Sequence, residues 1–203
     1  MRPVLTPVPF WYLRHGETDW NARGLSQGRT DIALNARGLA QGERAGSVLA
    51  SGAEAFAPIA RIVSSPLGRA LRTAEIVADA MAASGHPRLP IATDPDLREV
   101  CFGVQEGEPM GDWYDSWIAG DFTPDGAEVF ADLMVRATGA VNRATAGGGG
   151  VLIVCHGAMF RALRKVMNLP ANVRLPNAVP LWLEPGTDAD VPWSLTEVSH
   201  ATD

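Results

Sequence analysis

Two histidines in this chain follow strand-length apolar runs and precede a glycine. Arg14-His15-Gly16-Glu17-Thr18 comes after Phe-Trp-Tyr-Leu, and His156-Gly157-Ala158 comes directly after Val151-Leu-Ile-Val-Cys155. An imidazole at a strand end beside a guanidinium is placed to attack something anionic. Arg14 brings a permanent charge and a bidentate fork for phosphate oxygens. That charge also opposes protonation of the neighbouring ring and keeps His15 neutral and nucleophilic. Gly16 is expected to let a ligand approach the backbone closely. A further cation, Arg69, lies in Ser64-Ser65-Pro66-Leu67-Gly68-Arg69. This is the first turn of a helix that Pro66 is expected to open, where the helix dipole also favours an anion. Arg72, three residues on, reads as a solvated helix charge. Each feature alone has an ordinary explanation: a surface Arg-His pair, a solvated arginine, a capping histidine. Chance is a poor account of two strand-end histidines together with Arg14 and Arg69.

The elements that must position these residues are legible as alternating apolar runs. Strands are predicted over 10–13, 61–64, 151–155, 178–183 and 193–198. Helices are predicted over 36–50 with Asn35 as N-cap, from Pro66 to 83 with Ser65 as N-cap, over 126–146 and over 158–168. The glycines at 147–150 read as a turn between helix and strand. The last two strands are joined by a segment resembling a hairpin loop at a sheet edge. This alternation predicts an α/β fold, a three-layer sandwich with a mostly parallel central sheet flanked by helices. In such sheets ligands bind outside the carboxyl ends of the strands, which is where His15 and His156 fall.

Composition sets the outer bounds. The 203 residues, 46% hydrophobic and 20% charged, suit a single domain over 1–203. No apolar run approaches the ~20 residues needed to cross a bilayer, so no membrane partner is expected. The start, with its three prolines, does not read as a signal peptide, and a cytoplasmic location is the expectation. Cys101 and Cys155 lack metal-ligand spacing and read as free thiols. His86 and His200 have no ligand spacing with the other histidines and read as surface residues, so neither a metal nor another cofactor is expected. A formal net charge of -6 argues against a nucleic-acid surface, while clustered arginines can still make a local pocket for a small anion.

Four stretches, LRHGETDWN, SSPLGRALRTAEIV, LREVCFGVQEG and VCHGAMFRAL, resemble in order the signatures of the histidine phosphatase (phosphoglycerate mutase-like) superfamily. They are spread over most of the chain, and the resemblance is to the small phosphatase branch. It implies that His15 is the phosphorylated histidine, and that Arg14, Arg69 and His156 hold the phosphoryl oxygens, with His156 protonated when phosphate is bound. Glu99 matches the family's proton donor. Asp94, Asp96 and Glu106 are close in sequence, and only the resemblance selects Glu99 among them. Asn21 and Gln27 match additional polar substrate contacts, and Ala158 offers its backbone N–H. Phosphoryl transfer is mainly positioning and charge stabilisation, which explains the need for these cations. The leaving alkoxide needs a proton, so Glu99 must carry one while the ester is bound.

The implied activity is metal-independent hydrolysis of a small phosphorylated metabolite through a phosphohistidine. A phosphoglycerate-type mutase needs the same core plus positive charge to grip a carboxylate. The segment 107–135, expected to form a substrate-selecting cap, contains no Arg or Lys but seven acids (Glu108, Asp112, Asp115, Asp121, Asp125, Glu128, Asp132). If these line the opening, they disfavour polyanionic substrates. Its aromatics, Trp113, Tyr114, Trp117, Phe122 and Phe130, are expected mostly to pack a short helix, with some facing the pocket. A non-catalytic phospho-ligand binding module is disfavoured because candidates for every catalytic role are present. Oligomeric state is not legible in the sequence.

Overall fold

The computed structural model describes residues 3–188 and 191–199; His200 lies outside them. The apolar runs form strands β1 (Phe10–Arg14), β2 (Arg61–Ser64), β3 (Ile91–Thr93), β4 (Val151–Cys155), β5 (Leu181–Glu184) and β6 (Ser194–Glu197), in the sheet order β3-β2-β4-β1-β5-β6. The pairs β1–β4, β2–β4 and β2–β3 are parallel, whereas β1–β5 and β5–β6 are antiparallel. Every residue of β1 and β4 is buried. Their side chains alternate between two cores: Phe10 and Tyr12 enter one, Trp11 and Leu13 the other. Burial on both faces is why these strands read as continuous apolar runs rather than as alternating patterns.

The described residues form six α-helices: α1 (Asp19–Ala22), α2 (Ala36–Gly52), α3 (Gly68–Ala83), α4 (Trp113–Ala119), α5 (Phe130–Thr145) and α6 (Gly157–Val166). Helices α2 and α3 pack on one face through residues such as Val48, Leu49, Ala74 and Val77. Helices α4, α5 and α6 pack on the other through Trp117, Leu133, Val141, Phe160 and Leu163. The three-layer α/β sandwich is therefore present, with its antiparallel hairpin at one edge. Among the described residues, no helix is long and apolar enough to cross a membrane. Both cysteines are free thiols. His86 is half-buried rather than simply exposed, with its ring Nε2 2.8 Å from the Ala50 carbonyl near the end of α2.

Several boundaries differ from the sequence expectation, each for a local reason. Asn35 caps α2 as expected, its side-chain oxygen accepting from Gly38 N–H at 2.8 Å. Helix α3 begins at Gly68 with an extended Leu67 as its cap, not at Pro66 behind Ser65. The Ser65 N–H donates to Val154 O at 3.0 Å, so the strand direction persists past β2 and delays the helix. Helix α5 begins at Phe130 rather than 126. Gly126 has φ +73°, and Glu128 N–H donates to Cys101 O at 2.9 Å, committing this backbone to the Glu99 segment. Strand β5 begins at Leu181 rather than 178, because Ala178 is left-handed with φ +51°. The short edge strand β3 gave no periodic signal.

Register is what builds the site. In the β1–β4 pair Arg14 lies opposite Cys155, and His15 N–H continues the ladder to Cys155 O at 2.9 Å. The next residue on each strand is a histidine, so His15 and His156 become neighbours. Ser64 lies opposite Val154 in the β2–β4 pair, which brings Ser65 and the start of α3 to the same edge.

Candidate active site

The rings of His15 and His156 sit with centroids 5.2 Å apart. The Nδ1 of His15 is 2.7 Å from the Gly16 carbonyl. A carbonyl can only accept, so Nδ1 carries the proton and Nε2 keeps its lone pair in the neutral ring. Burial first, then the charges of Arg69 and Arg14, push the pKa of His15 well below its usual 6.5. Neutral, buried and oriented is the condition for a nitrogen nucleophile. His156 is also held neutral, by burial and then by Arg69, His15 and Arg14. Its Nε2 lies 2.7 Å from Ser65 Oγ, and Tyr12 donates to its carbonyl at 2.8 Å.

Arg69 is almost completely buried. It donates to the carbonyls of Thr30 at 2.8 Å and Gly28 at 2.6 Å. Arg14 donates to Leu175 O at 2.6 Å, and burial lowers its pKa to about 10. The loop that Arg69 grips is pinned in turn by Glu106, which accepts from the N–H groups of Arg29, Thr30 and Phe102. The Nε of Arg14, the Nε of Arg69 and the Nδ1 of His156 are buried without a hydrogen-bond partner. A buried donor left unmade costs about 1–3 kcal/mol, so the two guanidinium N–H groups suit an oxygen ligand.

Glu99 is buried against the start of α6, where its carboxylate accepts from Ala158 N–H at 3.0 Å and Met159 N–H at 3.1 Å. It also accepts from Val100 N–H at 3.0 Å. The Ala158 N–H expected to face substrate therefore faces Glu99, a carboxylate at the positive end of a helix. The other nearby acids are engaged elsewhere. Asp94 and Asp96 bind Arg143, and Glu106 holds the Arg29–Thr30 backbone.

One cavity of about 270 Å³ collects most of the expected residues: Arg14, His15, Asn21, Gln27, Arg69, Glu99 and Ala158 all line it. Glu99 is its one acidic lining residue among those described. His156 does not line it and is fully buried beside His15. Asn21 and Gln27 are both tied to Thr18, the cap of α1, and Asn21 also accepts from Asn177. Arg72 is exposed and paired with Glu75, as a solvated helix charge. Gly16 plays a different part from the one expected. A Cβ there would lie 2.3 Å from Gly38 O, so the close approach is by the first turn of α2 and not by a ligand.

The lip of the cavity corrects the reading of segment 107–135. None of its seven acids lines the opening; Met110 and Tyr114 do. Trp117 and Phe130 are core residues, and Trp113 packs against that core, so packing is indeed the main role of the aromatics. Two cations that the sequence reading missed, Arg161 and Arg174, reach the same cavity from α6 and the loop after it. Arg161 was findable: on α6 it falls three residues after Ala158 and four after Gly157, the spacing of one helix face. Arg174, in an irregular loop, has no periodic signal.

Residues 10–178 match the sequence pattern of the Histidine phosphatase superfamily (branch 1). The chain is 36% identical over 175 residues to "Probable phosphoglycerate mutase GpmB" of Proteus mirabilis, covering 79% of this chain and 75% of that one. It is 36% identical over 152 residues to "Uncharacterized phosphatase PhoE" of Bacillus subtilis, covering 74% and 72%. Among solved structures, a mycobacterial glucosyl-3-phosphoglycerate phosphatase with VO3 aligns with a TM-score of 0.75 and 26% identity, over 96% of this chain and 100% of that one. With its strand-end histidines, buried arginines and a carboxylate in the cavity, the chain belongs to the histidine phosphatase superfamily, branch 1.

Proposed function

We propose that this protein hydrolyses small phosphomonoesters through a phosphohistidine on His15, without a metal ion. The observation that carries the reading is that Arg14 and Arg69, each with a buried Nε lacking a partner, line one cavity with a histidine whose Nδ1 is already committed. The Nε2 lone pair attacks phosphorus, the ester P–O bond breaks, and its electron pair leaves on the substrate oxygen. Glu99, the one carboxylate lining the cavity among the described residues, gives that oxygen a proton. Water then attacks the phosphohistidine, and Glu99 takes the proton back. The P–N pair returns to His15 and inorganic phosphate leaves. Arg14 and Arg69 supply the charge that a metal would otherwise bring to the equatorial oxygens. His156 becomes protonated only against a bound phosphate dianion, which reverses the balance that keeps it neutral. Asn21 and Gln27 contact the ester, and Met110 and Tyr114 close the cavity over it.

Transfer of the phosphoryl group back to a second hydroxyl, a mutase reaction, is the competing reading. It is favoured by the name of the Proteus mirabilis relative and by the extra charge of Arg161 and Arg174. The deciding experiment is phosphate release from a panel of phosphomonoesters with chelator present, for wild type, His15→Ala and Glu99→Gln. Release should survive chelation and fall to background in His15→Ala. Glu99→Gln should slow alkyl esters by about 10²–10⁴-fold and para-nitrophenyl phosphate far less, because that leaving group hardly needs a proton. Near-normal turnover by His15→Ala would overturn the mechanism. Phosphoryl exchange between phosphoglycerates without net release would establish the mutase.

A further inference from the structure

Glu99 is held from two sides. Its carboxylate rests on N–H groups at the start of α6, and its main chain is fastened from other parts of the molecule. Pro95–Leu97 form a single helical turn just before it. A helix end leaves carbonyls without partners inside the helix, and they must find donors elsewhere. Here the carbonyls of four consecutive residues, 96–99, all find them. Arg136 of α5 donates to Asp96 O at 2.6 Å and to Arg98 O at 2.7 Å. The Cys155 thiol of β4 donates to Leu97 O at 3.1 Å, and Arg29 Nε to Glu99 O at 3.3 Å. Arg136 meets both of its carbonyls with Nη1, because the other edge of the guanidinium is taken by Glu128. Its Nε and Nη2 donate to the two Glu128 oxygens at 2.8 Å and 2.7 Å, a parallel pair that fixes the plane of the fork. Glu128 also accepts from Arg29 Nη2 at 3.4 Å, so one carboxylate aligns both arginines. Its own backbone is anchored, accepting from Trp117 Nε1 and donating to Cys101 O, each at 2.9 Å. Neither Arg136 nor Glu128 lines the cavity.

We infer that Arg136, aligned by Glu128, is a positioning residue: it fixes the main chain of the proton donor and so sets where the Glu99 carboxyl meets the leaving oxygen. This rests on the phosphomonoesterase reading above, in which Glu99 supplies that proton, and carries it to residues outside the cavity. A proton donor works within about 2.6–3.2 Å of the atom it serves, and a misplacement of about 1 Å can cost about 10²-fold in rate. The contacts to phosphorus belong to a different set of anchors. Arg14 is tied to Leu175 O, and Arg69 to the carbonyls of Gly28 and Thr30. Loosening Arg136 therefore separates proton donation from attack on phosphorus. A role in folding alone would slow every ester alike, whereas a role through Glu99 slows the esters whose leaving group needs a proton.

The test compares kcat/KM for para-nitrophenyl phosphate with that for alkyl phosphates of rising leaving-group pKa. Wild type, Arg136→Met, Arg136→Lys, Glu128→Gln, Glu99→Gln and the double variant Arg136→Met/Glu99→Gln are measured side by side. Arg136→Met should slow the alkyl esters by roughly 10- to 100-fold and leave para-nitrophenyl phosphate nearly unchanged. Arg136→Lys, a point charge in place of the fork, should recover part of that loss. Glu128→Gln should show a smaller loss with the same selectivity. In the Glu99→Gln background Arg136→Met should cost nothing more, because the two then act as one unit. Arg136→Met leaves the Glu128 carboxylate short of its main partner, so Arg136→Met/Glu128→Gln, which removes both charges together, is measured beside it. If neither of these folds, the selectivity is read on Glu128→Gln alone. Wild-type rates on alkyl esters, equal losses on all esters, or a loss that multiplies with that of Glu99→Gln would overturn the proposal and leave Glu99 as the acid. A Glu99→Gln variant that slows all esters alike would overturn the acid assignment itself, and this proposal with it.

Discussion

At the scale of single residues, the site is a pair of buried neutral histidines held among arginines. Burial comes first and the cations second in pushing both imidazoles below 6.5. Between those lowered values and 6.5, the unfolded chain binds protons that the folded chain refuses. Stability therefore rises with pH through that window and is lost as pH falls below 6.5. Each such proton contributes a slope of at most about 1.4 kcal/mol per pH unit. Denaturant midpoints taken in steps from about pH 7.5 to about pH 5.5 should fall, and less so in a His15→Gln, His156→Gln double variant. A wild-type midpoint that is flat over this range, or that rises as pH falls, would show that these rings are not held neutral by the fold.

At the scale of elements, the residues just after β1 meet the first turn of α2 backbone to backbone at two glycines. A Cβ at Gly38 would lie 2.1 Å from Glu17 O, and one at Gly16 would lie 2.3 Å from Gly38 O. Gly38→Ala must push the first turn of α2 away from the segment that carries His15. It should cost about 1–3 kcal/mol in stability and lower kcat/KM for any ester. Gly139→Ala, on α5, meets only the end of the flexible Arg143 side chain at 3.5 Å. Denaturation of the two variants side by side should find it neutral or stabilising, by up to about 1 kcal/mol. This scale also shows where sequence reasoning reaches its limit. Strands β1 and β4 were readable because burial on both faces leaves an unbroken apolar run, and the histidines at their ends followed. The late start of α5 was not readable, because the backbone of 126–128 is used by the Glu99 segment, a contact between distant parts of the chain. For the same reason the purpose of Gly16 was misread: its neighbour, Gly38, is close only once α2 has packed. Arg174 reaches the cavity from a loop whose path no periodicity records.

At the scale of the whole molecule, the net charge of -6 and the cationic cavity act on an anionic ester over different distances. The Debye length is roughly 30 Å at about 0.01 M salt and roughly 10 Å at about 0.1 M, so distant acids are screened before the arginines at the lip. For an anionic substrate, kcat/KM should rise modestly over that first interval and then fall several-fold toward about 1 M, as the local attraction is screened in turn. A rise that continues to high salt would mean that the surface acids govern encounter.

The pairing of Arg14 with Cys155 has a consequence for how this protein can change over generations. The spacing of the two histidines is set by a ladder of backbone hydrogen bonds, in which one inserted or deleted residue turns every later side chain to the opposite face. Length variation within β1 or β4 is therefore ruinous, whereas the stretch carrying Met110 and Tyr114 is in register with neither strand. Mutation can lengthen, shorten or recompose that lip and leave the reacting atoms where they are, so new substrates are reachable without rebuilding the chemistry.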